Sequence, residues 1–231
     1  MVTDCLACGC PVEIAPAVVA PFVAERMFGG HPPDVELASC PACGLAWFTP
    51  RPTDVELALF YLGYRDEHYQ RQRQRHEPTY TAAFNDSLNA PRATTPFAGR
   101  VLDWGGYDGR NTPHAHERYV YDPCGAEPVR GVKAWHGEPV DLVLCCHVLE
   151  HLRDPVGELD YLRTLAPVCV EVPAKRPTRA VMHEHLTFFT PRSLELLSGG
   201  RFETTTVNGS EVIRGTVPAA NLLSVGGDWT P

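Results

Sequence analysis

Residues 100–109 read Arg-Val-Leu-Asp-Trp-Gly-Gly-Tyr-Asp-Gly, and this stretch limits the fold more than any other in the chain. A short apolar strand, Val101-Leu102, runs into Asp103, and three glycines follow within five residues at Gly105, Gly106 and Gly109. A second strand-like run, Arg118–Asp122, ends on an acid nineteen positions after Asp103. Glycines let a backbone turn tightly against a ligand, and a second acid can accept hydrogen bonds from ribose hydroxyls. The pattern is therefore that of a first βαβ unit in a doubly wound sheet that binds a nucleoside-containing cofactor. Tyr107 and Asp108 interrupt the glycine spacing of a dinucleotide fingerprint, and a plain strand with a glycine-rich turn also fits these residues.

The second constraint lies in the first fifty residues. Cys5-Leu-Ala-Cys8-Gly9 and Cys40-Pro-Ala-Cys43-Gly44 are two knuckles of the same form. Two thiolates two residues apart reach one tetrahedral ion from a single turn, and a glycine after each pair suits a positive φ. Cys5, Cys8, Cys40 and Cys43 are thus the expected ligands of a structural zinc, with Cys10 close enough to compete with Cys8. Four thiolates close the shell and leave no position for a catalytic water. The nine cysteines are odd in number and fall into these knuckles or apolar runs, which suits metal binding and core thiols in a reducing cytoplasm.

The formal charge of −8 disfavours a nucleic-acid partner, and the charged residues between the knuckles are Glu13, Glu25, Asp34 and Glu36 against Arg26 alone. The amino terminus lacks a basic start followed by an apolar stretch, so no signal peptide is expected. No apolar run approaches a membrane span; the longest, Val140–Leu149, is broken by Asp141 and His147.

Thr53 or Asp54 can cap a helix over Val55–Tyr61. Arg71–His76 suits a helix with a solvated basic face. Pro91–Pro96 reads as a linker. Beyond it, strands are expected at Val129–Val132, Val140–Cys146 and Val168–Val172. Helices are expected after Asp154-Pro155, running to Leu165, and over Arg192–Leu197. Phe202–Val207 and Glu211–Val217, joined by Asn208-Gly209, read as an antiparallel hairpin. The expected organisation is a zinc-ribbon domain at 1–52, a helical connector at 53–97 and a cofactor domain at 98–231.

In this order VLDWGGYDG, YVYD, VDLVLCCHVLEHLRDP, EVP and HEHLTFFTPRSL resemble class I S-adenosylmethionine-dependent methyltransferases. The resemblance is greatest to a subgroup with an amino-terminal zinc ribbon that includes deoxysugar C-methyltransferases. It implies an α/β, Rossmann-like sheet with helices on both faces and a carboxy-terminal antiparallel hairpin, preceded by the ribbon. It also implies that Asp103, Gly105, Gly106 and Gly109 face the methionine part of the cofactor, that Asp122 holds the ribose, and that Cys146 and His147 line the cleft. The sugar enzymes carry a further carboxy-terminal domain that helps hold the nucleotide-sugar, for which residues up to Pro231 leave no room, so the acceptor is expected to be another small molecule or a sugar bound differently.

The candidate chemistry is in His183-Glu184-His185. In an extended or loop segment the two histidines would share one side and Glu184 would take the other. Transfer to a carbon beside a carbonyl, or to a hydroxyl, needs a base, and a neutral imidazole oriented by a carboxylate can serve. In the resembling sugar enzymes the segment begins with a tyrosine, where Met182 stands here. His185 is the expected base, with His183 and Glu184 assisting and His151 packing behind the cofactor loop. The expected activity is methyl transfer to a C or O nucleophile of a small natural-product or sugar-type acceptor. The alternative is a zinc-stabilised Rossmann-like module that binds without catalysis. A dimer is compatible with the sequence and not required by it.

Overall fold

The computed structural model describes residues 3–79, 97–174, 180–207 and 210–220; the linker at Pro91–Pro96 and the Asn208-Gly209 turn lie outside them. The apolar run at 140–146 gives a buried strand, Leu142–Cys146 (β7), whose residues alternate between fully and partly buried. It lies between Phe97–Trp104 (β4) and Val168–Pro173 (β8), parallel to both. Ala115–Tyr121 (β5) and the two-residue Lys133–Ala134 (β6) extend the parallel set on one side. Ser210–Val217 (β12) and Arg201–Val207 (β11) close the other side, β12 antiparallel to both β8 and β11. The sheet order is β11-β12-β8-β7-β4-β5-β6, an α/β Rossmann-like mixed sheet ending in a hairpin. No helix among the described residues is long and apolar enough to cross a membrane.

Two expectations for this sheet need correction. The crossover from β4 to β5, residues 105–114, holds only turns, so the first unit lacks the helix of a βαβ. Ten residues carrying Gly105, Gly106, Gly109 and Pro113 have neither the length nor the propensity for one. The strand expected at Val129–Val132 is a turn, with the Val132 N–H donating to the Val129 carbonyl and Gly131 at φ 85°. Pairing begins one residue later, in β6.

The helix after Asp154 forms as Pro155–Leu165 (α4): the Asp154 side chain caps the Gly157 N–H, Pro155 opens the first turn, and Leu159 and Leu162 enter the core. Pro191–Ser198 (α5) has a Thr190 cap and ends on Gly199 at φ 69°.

The second sheet is antiparallel at its centre: Glu13–Val19 (β1), Val35–Ser39 (β2) and Ala46–Thr49 (β3) form successive pairs. Three helices, Pro21–Phe28 (α1), Asp54–Tyr61 (α2) and Glu67–His76 (α3), pack on it through Phe22, Phe60 and Tyr69 against Phe48. Thr53 and Glu56 form a full capping box at α2. Val181–Met182 (β9) pairs in parallel with β1, and Thr187–Phe188 (β10) pairs antiparallel with β3. Residues 181–188, which the sequence places within the cofactor region, thus complete the edges of the amino-terminal sheet.

The two sheets share a core. Cys5, Cys40, Cys43, Leu45 and Trp47 belong to one buried cluster with Leu102, Val143, Val170 and Leu194. Thr190 Oγ1 donates to the Cys43 carbonyl at 2.6 Å, tying the second knuckle to the start of α5.

Candidate functional site

A cavity of about 790 Å³ opens at the carboxy-terminal ends of β4, β5 and β7 and runs along one face of the sheet to β12. Its volume is within the range of pockets that hold a nucleoside-sized cofactor with a small acceptor.

At one end the glycine turn is built around Asp103. Thr112 Oγ1 donates to Asp103 Oδ2 at 2.8 Å. Gly105 turns at φ 72°, and a side chain on Gly106 would place its Cβ 2.5 Å from the Asp103 carboxyl carbon. Only glycine fits there. Asp122, just past β5, accepts from the Tyr107 N–H at 2.9 Å and the Cys124 N–H at 2.8 Å, which fixes its carboxylate and leaves lone pairs for a ligand. Asp103, Gly105, Gly106, Asp122, Cys146 and His147 all line the cavity. Gly109 does not: it sits at φ 73°, and a side chain there would place its Cβ 2.7 Å from Val132, so it serves close packing beneath the turn.

Among the described residues, three that are not glycine have positive φ, Arg65 at 66°, Tyr107 at 58° and His147 at 56°, and all three line this cavity. Such conformations cost on the order of 1–3 kcal/mol each and persist where surrounding contacts fix them, commonly at ligand sites. The Arg65 guanidinium lies over the Tyr107 ring at 5.0 Å, and Tyr64 meets Tyr107 edge to face.

At the other end, residues 183–185 form a loop between β9 and β10, both held by the amino-terminal sheet. A bend at Glu184 breaks the expected alternation. Glu184 and His185 face the cavity, whereas His183 is exposed and outside its lining. Glu184 is held by Arg73 of α3 through two hydrogen bonds of 2.8 and 3.0 Å. Arg73 is buried, so α3 does not present the wholly solvated basic face expected of it. The pairing keeps the Glu184 carboxyl ionised against its burial. Burial and the neighbouring His151 hold His185 down at about 4, so its ring is neutral at neutral pH.

His151 is not behind the cofactor loop. A single helical turn, Leu149–His151, follows β7 and brings it into the cavity wall, edge to face with His185 at 4.7 Å. Its Nδ1 lies 3.0 Å from the Glu184 carbonyl. Glu150 beneath it is 1% exposed; burial pushes its carboxyl up, but the surrounding imidazoles, His147 foremost, bring it down to about 2. His147 Nε2 contacts Glu171 at 3.1 Å, and Arg214 Nε donates to the same buried carboxylate at 2.8 Å. The sequence reading missed Glu150, Glu171 and Arg73. Two signals were available: His147, Glu150 and His151 have the i, i+3, i+4 spacing of one helical face, and Glu171 is a lone acid in an apolar strand.

Away from the cavity, the sulfurs of Cys5, Cys8, Cys40 and Cys43 all lie within 4.8 Å of one another. Two of the Sγ pairs are 3.5 Å apart, near the ~3.8 Å edge of a tetrahedron with 2.3 Å zinc–sulfur bonds. Gly9 and Gly44 are at φ 67° and 77°, and each donates its N–H to the carbonyl of the first cysteine in its knuckle. Cys10 stands aside, its Sγ directed at the Cys8 carbonyl.

The model of the methyltransferase domain family matches residues 66–198, more than half of the chain. The chain belongs to this methyltransferase family. Solved structures similar to this methyltransferase include CalO1, a methyltransferase in calicheamicin biosynthesis in its S-adenosylhomocysteine-bound form, at 19% identity and a TM-score of 0.45. That match covers 67% of this chain and 59% of CalO1. An O-methyltransferase family protein from Burkholderia thailandensis is similar at 12% identity and a TM-score of 0.43, over 68% of this chain and 61% of that one. The N-methyltransferase NodS from Bradyrhizobium japonicum is similar at 12% identity and a TM-score of 0.39, over 68% of this chain and 94% of NodS. No curated protein matches this methyltransferase.

Proposed function

We propose that the protein transfers a methyl group from S-adenosylmethionine to an oxygen or carbon nucleophile of a small molecule. One observation carries this reading: the glycine turn after β4, the acid after β5 and the His185 loop all open into a single cavity. In this reading the backbone of Gly105 and Gly106 accommodates the methionine part of the cofactor, beside Asp103. Asp122 accepts from the ribose hydroxyls, and Cys146 and His147 close the wall between cofactor and acceptor. The cofactor supplies an electrophilic methyl group on a sulfonium.

The chain's own residues position the acceptor and deal with its proton. His185, neutral and fixed against His151, accepts the proton, while Glu184 is a positioning residue clamped by Arg73. His183, on the outer side of the loop, is left with a supporting part at most. A natural-product or sugar-type acceptor suits the polar wall, and specialised biosynthesis such as that of antibiotics is the setting in which such chemistry would serve. The four cysteines hold a structural zinc in a ribbon, so that 1–52, 53–97 and 98–231 act as zinc-ribbon, connector and cofactor regions. A cytoplasmic location suits the free thiols; no nucleic-acid partner or obligate oligomer enters the reading.

Calorimetric titration with S-adenosylhomocysteine tests it. Binding is expected in the wild type and is expected to weaken about tenfold or more in Asp122→Ala, the loss of charged hydrogen bonds to the ribose. Equal affinity in the two proteins would remove Asp122 from the site, and no binding to folded wild type would overturn the reading. With a turned-over acceptor in hand, His185→Ala is expected to lower kcat by roughly 10²–10⁴-fold while the cofactor still binds.

A further inference from the structure

Glu150 is the one carboxylate among the described residues buried with both oxygens unpartnered. It is buried to 1% exposure, and neither carboxylate oxygen receives a hydrogen bond. A buried carboxylate in that position is costly unless a cation meets it. Two imidazoles approach Oε1, His147 Nδ1 at 3.4 Å and His151 Nε2 at 3.7 Å. Neither contact satisfies a hydrogen bond.

The tautomer of His151 sharpens the point. Its Nδ1 can only donate to the Glu184 carbonyl, so the neutral ring carries its lone pair on Nε2. That lone pair faces a carboxylate oxygen, an arrangement that repels unless a cation lies between them. Donating the far ring nitrogen to a backbone carbonyl is also how metal-binding histidines are commonly oriented. His185 completes the group: one ligand atom each from Glu150, His151 and His185 lies within 4.8 Å of the others. A contraction of about an ångström would bring them to the ligand separations around an ion with ~2.1 Å bonds.

We propose that Glu150, His151 and His185 hold a divalent transition-metal ion at the acceptor end of the cavity, and that this ion receives an oxygen of the methyl acceptor. Two imidazoles and one carboxylate suit first-row transition metals over magnesium or calcium, and three protein ligands leave positions open toward the cavity. An ion there neutralises Glu150, orders the 183–185 loop against the turn after β7, and raises the acidity of an acceptor hydroxyl or enolisable ketone. The part that concerns the acceptor rests on the methyltransferase reading; the binding of the ion does not. In the metal-loaded protein His185 is a ligand in place of the base assigned above, and the acceptor's proton, made acidic by the ion, passes to water in the open cavity.

The test uses the full chain with its cysteine site filled with zinc. Co2+ is titrated while visible d–d absorption is followed, and S-adenosylhomocysteine binding is measured in parallel. One further Co2+ per chain is expected, without a thiolate-to-cobalt charge-transfer band. Glu150→Gln and His185→Ala are each expected to weaken uptake at least about tenfold while S-adenosylhomocysteine still binds. Should Glu150→Gln fail to fold, His185→Ala on the cavity wall carries the comparison. Uptake unchanged in the variants, or none beyond the cysteine site, overturns the proposal, the second result meaning that a proton alone meets Glu150. Cobalt uptake in a protein that ignores S-adenosylhomocysteine would keep the metal site and remove the methyltransferase reading.

Discussion

Arg73→Met is expected to lower the stability of the protein by about 3 kcal/mol and to remove its turnover with the same stroke. The guanidinium holds Glu184 by two hydrogen bonds from α3, and Tyr69 and Glu77 help to fix it. Removing one partner of a buried pair typically costs about 3–5 kcal/mol, because a desolvated charge remains. Glu184 keeps 23% of its side chain exposed, which places the expectation at the low end. For a chain of this size that is a fall of roughly 6–12 °C in Tm. Adding Glu184→Gln to Arg73→Met is expected to recover part of the stability and none of the activity, since the loop would still lack its clamp. Thermal unfolding of the two variants decides it: an unchanged Tm in Arg73→Met would show that solvent already screens the pair.

The other large effect is expected at the cysteine cluster. Purified protein should carry one zinc per chain by elemental analysis, and Cys40→Ser should lose it together with several kcal/mol of stability. Metal binding at such a site is folding free energy, because the four thiolates have no reason to gather without it. The damage should not stay local. Cys40 and Cys43 share a core with Leu102 and Val143, and the Cys43 carbonyl takes the Thr190 hydroxyl at the head of α5. Loss of the ion is therefore expected to weaken S-adenosylhomocysteine binding at a distance from the four clustered cysteines. A protein isolated without zinc and as stable as Cys40→Ser would show that the cluster is only a set of packed thiols.

Much of the frame was legible because it rests on local rules. The strand ending at Asp103, the buried run at 142–146, the Asp154 and Thr190 caps and both CxxCG turns follow from spacing and chirality within a few residues. What was not legible depended on partners far apart in sequence. Arg73 looked like one cation in a polar helix until Glu184, 111 positions away, claimed it. The strict alternation expected at 183–185 required extended backbone, whether strand or loop, but Glu184 is a bend between two strands that pair with β1 and β3. The helix expected after the glycine turn failed for another reason: the strand pattern implied it, yet the ten residues available could not form it. Glu150 and His151 were in plain view as a helical face beside His147, and the short turn that carries them was read as packing.

The pairing of β9 with β1 and of β10 with β3 has a consequence for how the chain acquires its shape. During synthesis the first fifty residues emerge early, yet both outer strands of their sheet wait for residues 181–188. Until then β1 and β3 expose unpaired backbone, the kind of edge on which nascent chains associate with one another. The contacts that finally cover them span more than 130 positions and are among the slowest to find. The segment that covers these edges is also the one that brings Glu184 and His185 into place. An incomplete chain would thus lack the loop that bears Glu184 and His185 and carry two adhesive edges, so assembly of the cavity wall and protection against aggregation are one event.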